Sequence, residues 1–143
     1  MIGGIAGALH GSTTLTSDLD ILYERSRENV DRLAAALAEA RAVRRDLPPG
    51  VRSALDGQAI LNGANFLLST RYGDLDCIAE TPSGRFTYAQ LEPTAVHYDI
   101  KGVSVTVVSL DELIRMKRAT GREADRVEVE RLSALREERE KRA

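Results

Sequence analysis

The sequence predicts an α/β (α+β) fold: a mixed sheet of about four to five strands with flanking helices, formed by residues 1–143 as a single domain. Three observations predict it. Several short segments alternate polar and apolar residues with the period of two expected of half-buried strands. Two stretches rich in Ala, Leu, Glu and Arg carry helical signals, and turn dipeptides punctuate the strands between them. A chain of 143 residues suffices for one substantial core and is short for two.

Taken in order, "DLDILY" at 18–23 reads as the first strand. Ser26 then stands as N-cap before "RENVDRLAAALAEARAV", where Val30, Leu33, Ala34, Leu37 and Ala40 share one stripe; this helix is expected to end before Pro48 and Pro49. "DGQAILNGANF" has no clean period and reads as a connection running into a strand. "NFLLSTRYGDLDCIAE", Asn65 to Glu80, reads as two strands around Tyr72-Gly73, with a further turn at "TPSG". "TAVHYDI" and "VSVTVV" form a hairpin closed by Lys101-Gly102. Ser109 and Glu112 have capping-box spacing ahead of "LIRMKRATG". A charged helix over about 122–142 completes the chain, its Glu-, Arg- and Lys-rich end expected to fray.

The formal charge of −2, with acids and bases interspersed, shows no basic patch of the kind nucleic-acid binders carry. The lone Cys77 excludes an internal disulfide and is expected to be a small buried apolar residue. The first residues do not read as a secretory leader, and no run approaches the ~18 apolar residues of a membrane span. A cytoplasmic protein with no membrane association is the expectation.

The stretch with chemical content is "GGIAGALHGSTTLTSDLDI". In a strand Asp18 and Asp20 point to one face while Leu19 and Ile21 point to the core. Two carboxylates about 4 Å apart at an effective dielectric near 20 repel by roughly 4 kcal/mol, equivalent to about three pKa units. A hard divalent cation relieves that repulsion, so Asp-x-Asp is a metal-site pattern as well as that of an exposed strand beside a turn. The alternation recurs in "GDLDCIAE", where Asp74 and Asp76 share a face; either can add a third carboxylate, Asp76 being the better placed and Asp74 also fitting a turn role. Gly11-Ser12 offers a turn whose amides and hydroxyl can approach a phosphate. His10 reads as a turn or packing residue and His97 as a hairpin residue.

With these residues assembled, the chain resembles the nucleotidyltransferase superfamily that includes DNA polymerase β, and within it the small bacterial abortive-infection and toxin–antitoxin nucleotidyltransferases. The resemblance rests on Gly3-Gly4, on His10-Gly11-Ser12, on Thr16-x-Asp18-Leu19-Asp20-Ile21, on "GDLDCI" and on the closing segment "SLDELIRMKRATGREADRVEVERL". It implies a nucleotidyltransferase-like sheet in which Asp18, Asp20 and Asp76 are catalytic and ligate two Mg²⁺ (or Mn²⁺) ions. It further implies that Gly11, Ser12 and Thr16 contact the nucleotide, with Lys117 and Asp125 as polar positions of the closing segment. By themselves Lys117 fits a solvated helix residue and Asp125 a partner for Arg122 or Arg126.

The implied reaction moves a nucleoside monophosphate from a nucleoside triphosphate to an acceptor hydroxyl. One ion activates the acceptor, the other braces the triphosphate, and Asp76 or a coordinated water takes the proton. The acceptor is open: tRNA or other RNA, a protein, or a small molecule. A role in toxin–antitoxin pairing or phage defence, with a partner protein, follows from the same resemblance.

Two departures from the family pattern stand out. Thr14 takes a place where this branch often carries Arg, and only Met1 and Ile2 precede Gly3-Gly4, a short N-terminus that would expose apolar sheet surface and favour a homodimer. The alternative functions are a catalytically degenerate nucleotide- or partner-binding module, such as an antitoxin or regulator, and a structural domain whose charged helix binds a partner.

Overall fold

The computed structural model describes residues 1–81 and 84–143; the turn expected at "TPSG" includes Pro82 and Ser83, which lie outside the described residues. The mixed α+β fold is as predicted. Helix α1 (Gly3–Leu9) leads to β1 (Asp18–Leu22), α2 (Arg27–Glu39), β2 (Val43–Arg44), α3 (Gly57–Asn62), β3 (Asn65–Thr70) and β4 (Gly73–Ile78). A short helix α4 (Tyr88–Leu91), running into a 3₁₀ turn, precedes β5 (Val96–Ile100), β6 (Val103–Val107), α5 (Leu110–Thr120) and α6 (Glu123–Arg142).

Among the described residues the strands form two sheets, a four-stranded one in the order β1-β4-β3-β2 and the β5-β6 hairpin. β1 runs parallel to β4, whereas the β3–β4 and β2–β3 pairs are antiparallel. The first two residues join the sheets. The Ile2 amide donates to the Asp20 carbonyl at 2.9 Å, the Met1 ammonium to the Thr106 carbonyl at 2.7 Å, and the Val108 amide to the Met1 carbonyl at 3.0 Å.

Alternation along the strands gives the four-stranded sheet two chemically different faces. One presents Ile21, Phe66, Leu68, Leu75 and Cys77 to a core completed by Val30 and Leu37 of α2 and Ile60 of α3. On the other, Leu22 and Ile78 pack into a second core with Ala6 of α1, Val107, Leu113, Ile114 and Leu132. Farther along β1 and β4, that second face carries Asp18, Asp20, Asp74 and Asp76.

Local signals explain most boundaries. Ser26 caps α2 by accepting the Asn29 amide, and Ser109 caps α5 by accepting from Glu112. The Glu112 carboxylate meets Arg115 at 2.7 Å, so the reciprocal arm of the expected capping box is directed elsewhere. Lys101 and Gly102 both have positive φ, 55° and 83°, the geometry of a two-residue primed hairpin turn.

Three elements differ from expectation. Helix α2 stops at Glu39, short of the residues up to Val43 that the sequence pattern included, because Arg41 adopts a left-handed φ of 53° and Val43–Arg44 pair with β3 instead. The segment read as a connection contains α3, six residues capped by the Asp56 carboxylate accepting from Ala59 and anchored by fully buried Ile60. The strands divide into two sheets where one sheet was expected. Helix α6 continues to Arg142, where a side-chain pair to Glu138 at 2.5 Å spans its last turn.

Candidate active site

Parallel pairing of β1 with β4 sets Asp18 opposite Asp74 and Asp20 opposite Asp76. Directly paired residues on one face lie close together, so the carboxylates gather in a compact acidic patch. The carboxyl of Asp20 is pushed up to about 6, first by burial and then by the negative charges of Asp76 and Asp18; Lys117 and Arg45 pull it back in part. The repulsion anticipated from the sequence contributes to that response, behind burial. Asp20 has little room to escape it: a Cβ on Gly3, whose φ is +71°, would fall 1.9 Å from the Asp20 Oδ2 atom. Gly3 thus lets the start of α1 close against the carboxylate.

Thr16 stands at the entrance to β1, its hydroxyl 3.4 Å from Asp18 Oδ1 and beneath Gly4, where a Cβ would come within 2.7 Å of Thr16. Lys117 approaches from α5. Its ammonium bonds Asp125 Oδ1 at 3.0 Å, and Thr120 donates to the other Asp125 oxygen. Burial opposes ionisation of Asp125, but the Thr120 and Lys117 hydrogen bonds outweigh it and hold the carboxyl below its ordinary range. Lys117 and Asp125, eight positions apart on successive helices, therefore act as one unit beside the aspartates.

Gly11 and Ser12 follow the opposite end of α1 and face α6. The Ser12 hydroxyl donates to Glu128 Oε1 at 2.8 Å, Thr14 bonds the second Glu128 oxygen, and a Cβ on Gly11 would meet Leu135 at 3.8 Å. Arg131 donates to Thr14 at 2.9 Å. These contacts fix the loop that delivers the chain to Asp18.

His10 is a buried packing residue: its Nε2 donates to the Val108 carbonyl at 2.7 Å, and burial lowers its pKa. His97 lies on β5 near Thr106. The Cys77 thiol, behind the acidic face, is pushed up to about 12 by burial and by the Asp76 charge.

Sequence reasoning missed Arg45. Its Nη1 donates to Asp76 Oδ1 at 2.6 Å, and its Nε lies 3.7 Å from Asp74 Oδ2. Its amide bonds the Leu67 carbonyl at 3.0 Å, extending the β2–β3 pairing by one residue. Arg45, Leu67, Asp76 and Asp20 consequently form one row across the sheet. Nothing local in "AVRRDLPP" distinguishes Arg45 from Arg44, which turns to Asp46 at 2.6 Å; only the register does.

The donor set fits a hard cation: oxygen ligands, concentrated negative charge and a carboxyl whose raised pKa a cation would lower. Among the described residues no three His, Cys, Asp or Glu side chains are placed together to hold a metal ion, and Asp76 directs one oxygen to Arg45. A cavity of about 370 Å³ opens at the end of β1 between Tyr23, Asn29, Arg32 and Tyr88. No known family model matches the chain, and no curated protein matches it. Among the described residues no helix is long and apolar enough to cross a membrane.

Proposed function

We propose that this chain is a metal-dependent nucleotidyltransferase that moves a nucleoside monophosphate from a nucleoside triphosphate to an acceptor hydroxyl. One observation carries the reading: Asp18 and Asp20 lie in register with Asp74 and Asp76 on adjacent parallel strands, where burial and then the charges of Asp76 and Asp18 raise the Asp20 pKa to about 6. Such a cluster is costly to keep without a counter-charge, and a carboxyl perturbed by burial and by specific charged neighbours, as Asp20 is, marks a functional-site candidate.

Asp18, Asp20 and Asp76 would hold Mg²⁺ or Mn²⁺, two ions by the polymerase β-like resemblance. Bound there, divalent ions supply charge neutralisation for a triphosphate and acidify an acceptor hydroxyl. The protein's own side chains do the positioning. Lys117, held by Asp125 and Thr120, brings a fixed positive charge to the aspartates' flank, suited to phosphate oxygens. Thr16 adds a hydroxyl beside Asp18. Gly11 and Ser12 act through the shape of the loop that Glu128 clasps. The acceptor, whether RNA, protein or small molecule, is left to the assay.

A second reading, a degenerate binding module, draws on the Arg45–Asp76 pair, which already neutralises one carboxylate. Incubation with α-labelled nucleoside triphosphates, Mg²⁺ or Mn²⁺ and cell extract separates the two. Label in RNA or protein that is lost in Asp18→Asn/Asp20→Asn supports transfer. Nucleotide binding without label supports the module.

A further inference from the structure

We propose that Arg45 exchanges partners within the site: it holds Asp76 while no divalent cation is bound, and it turns to the phosphates of the nucleotide once a cation has taken that carboxylate. The inference rests on the nucleotidyl-transfer reading, since it requires a triphosphate and a divalent cation at the same aspartates.

The sheet register supplies the geometry. The Arg45 main chain is fixed by its bond to Leu67, and its side chain crosses β3 to reach Asp76 at 2.6 Å and Asp74 at 3.7 Å. Apart from a 3.4 Å contact to the Leu68 carbonyl, the guanidinium is held by these carboxylates. The side chain is 29% exposed, so it can swing while its backbone stays paired.

Charge supplies the reason to move. Arg45 acts on Asp18, Asp20, Asp74 and Asp76, and Lys117 on Asp20. Lys117 is committed to Asp125, which Thr120 also binds and whose side chain is 12% exposed. Outside the aspartate cluster, the anchor of the Arg45 guanidinium among the described residues is the Leu68 carbonyl at 3.4 Å. A divalent ion at Asp76 would repel the adjacent guanidinium, and the nearest anion then on offer would be the triphosphate that accompanies the metal. The planar fork of five N–H donors matches phosphate oxygens as well as carboxylates, so the exchange replaces one bidentate-capable partner with another.

Two equilibria with opposite signs test this. Mn²⁺ alone, followed by the electron paramagnetic resonance signal of the free ion, reports competition for Asp76. Binding of tripolyphosphate in saturating Mg²⁺, followed by calorimetry, reports phosphate capture without a base. Arg45→Gln is expected to tighten Mn²⁺ about three- to tenfold, the worth of a partly exposed ion pair, and to weaken tripolyphosphate about tenfold. Arg45→Lys keeps the charge without the fork and is expected to fall between wild type and Gln for tripolyphosphate.

Equal weakening of both ligands, or no change in either, would overturn the exchange. Asp20→Asn isolates the underlying reading: Mn²⁺ affinity that Asp20→Asn leaves unaltered removes the metal site and the exchange with it. Mn²⁺ binding that depends on Asp20 but not on Arg45 removes the exchange alone.

Discussion

Replacing Asp20 by Asn should make the metal-free protein more stable at neutral pH. The Asp20 carboxyl moves from 3.8 to about 6 on folding, through burial and the charges of Asp76 and Asp18. A displacement of that size corresponds to about 2–3 kcal/mol. Because the folded pKa is the higher one, the folded state binds this proton more tightly. The associated stability is fully present below ~4 and is lost as pH rises through ~6. The Asn variant carries no charge to lose, and among the described residues no hydrogen bond to the Asp20 side chain is sacrificed. Its advantage over wild type should therefore be small near pH 3.5 and grow to about 2–3 kcal/mol by pH 7.5, a difference in Tm of roughly 8 °C for a chain of this length. Thermal unfolding followed by circular dichroism across that range measures it. Saturating Mg²⁺ should raise the Tm of wild type and leave the variant nearly unmoved. An advantage that is absent at pH 7.5, or equally large at pH 3.5, would refute the claim that clustered carboxylates strain this site.

Other substitutions probe the supports. Gly3→Ala must place a Cβ on a left-handed residue against Asp20 and should cost at least ~1–2 kcal/mol in chemical denaturation; Asp20→Gly in the same chain should recover much of the loss. Asp125→Asn should cost about 1–2 kcal/mol at pH 7 by removing the charged partner of Lys117 and Thr120. Because the Asp125 pKa is lowered on folding, that cost should shrink as the pH falls through ~3.9 and below. Cys77, with its thiol pushed up to about 12, should resist an aromatic disulfide reagent at pH 8 in the native protein and react promptly in denaturant. Leu132→Ala, at a fully buried position of α6 in the second core, should cost about 3 kcal/mol in the same denaturation experiment.

What the sequence made legible was whatever local chemistry determines. The alternation in "DLDILY" and "GDLDCI" marked two strands and the face their aspartates share, and Ser26, Ser109 and Lys101-Gly102 marked helix starts and a turn. Features set by distant contacts were not legible. Arg41 ends α2 in a left-handed conformation with no glycine to announce it, and α3 has too few residues for a period to show. Glu128 looked like any charge on a solvated helix until α6 was laid against Ser12 and Thr14. Arg45 needed two strand registers, β2 on β3 and β3 on β4, before its proximity to Asp76 could be read. The face that the aspartates share was readable because alternation was the signal; Arg45 beside them was not, because a lone arginine has none.

The most direct test compares α-labelled and γ-labelled nucleoside triphosphates in parallel reactions with Mg²⁺ and cell extract. Nucleotidyl transfer at Asp18, Asp20 and Asp76 requires that the α label enter RNA, protein or a small acceptor, that the γ label leave as pyrophosphate, and that both events vanish in Asp18→Asn/Asp20→Asn. Label that enters the acceptor from the γ position, or α label that persists in the double variant, would contradict it.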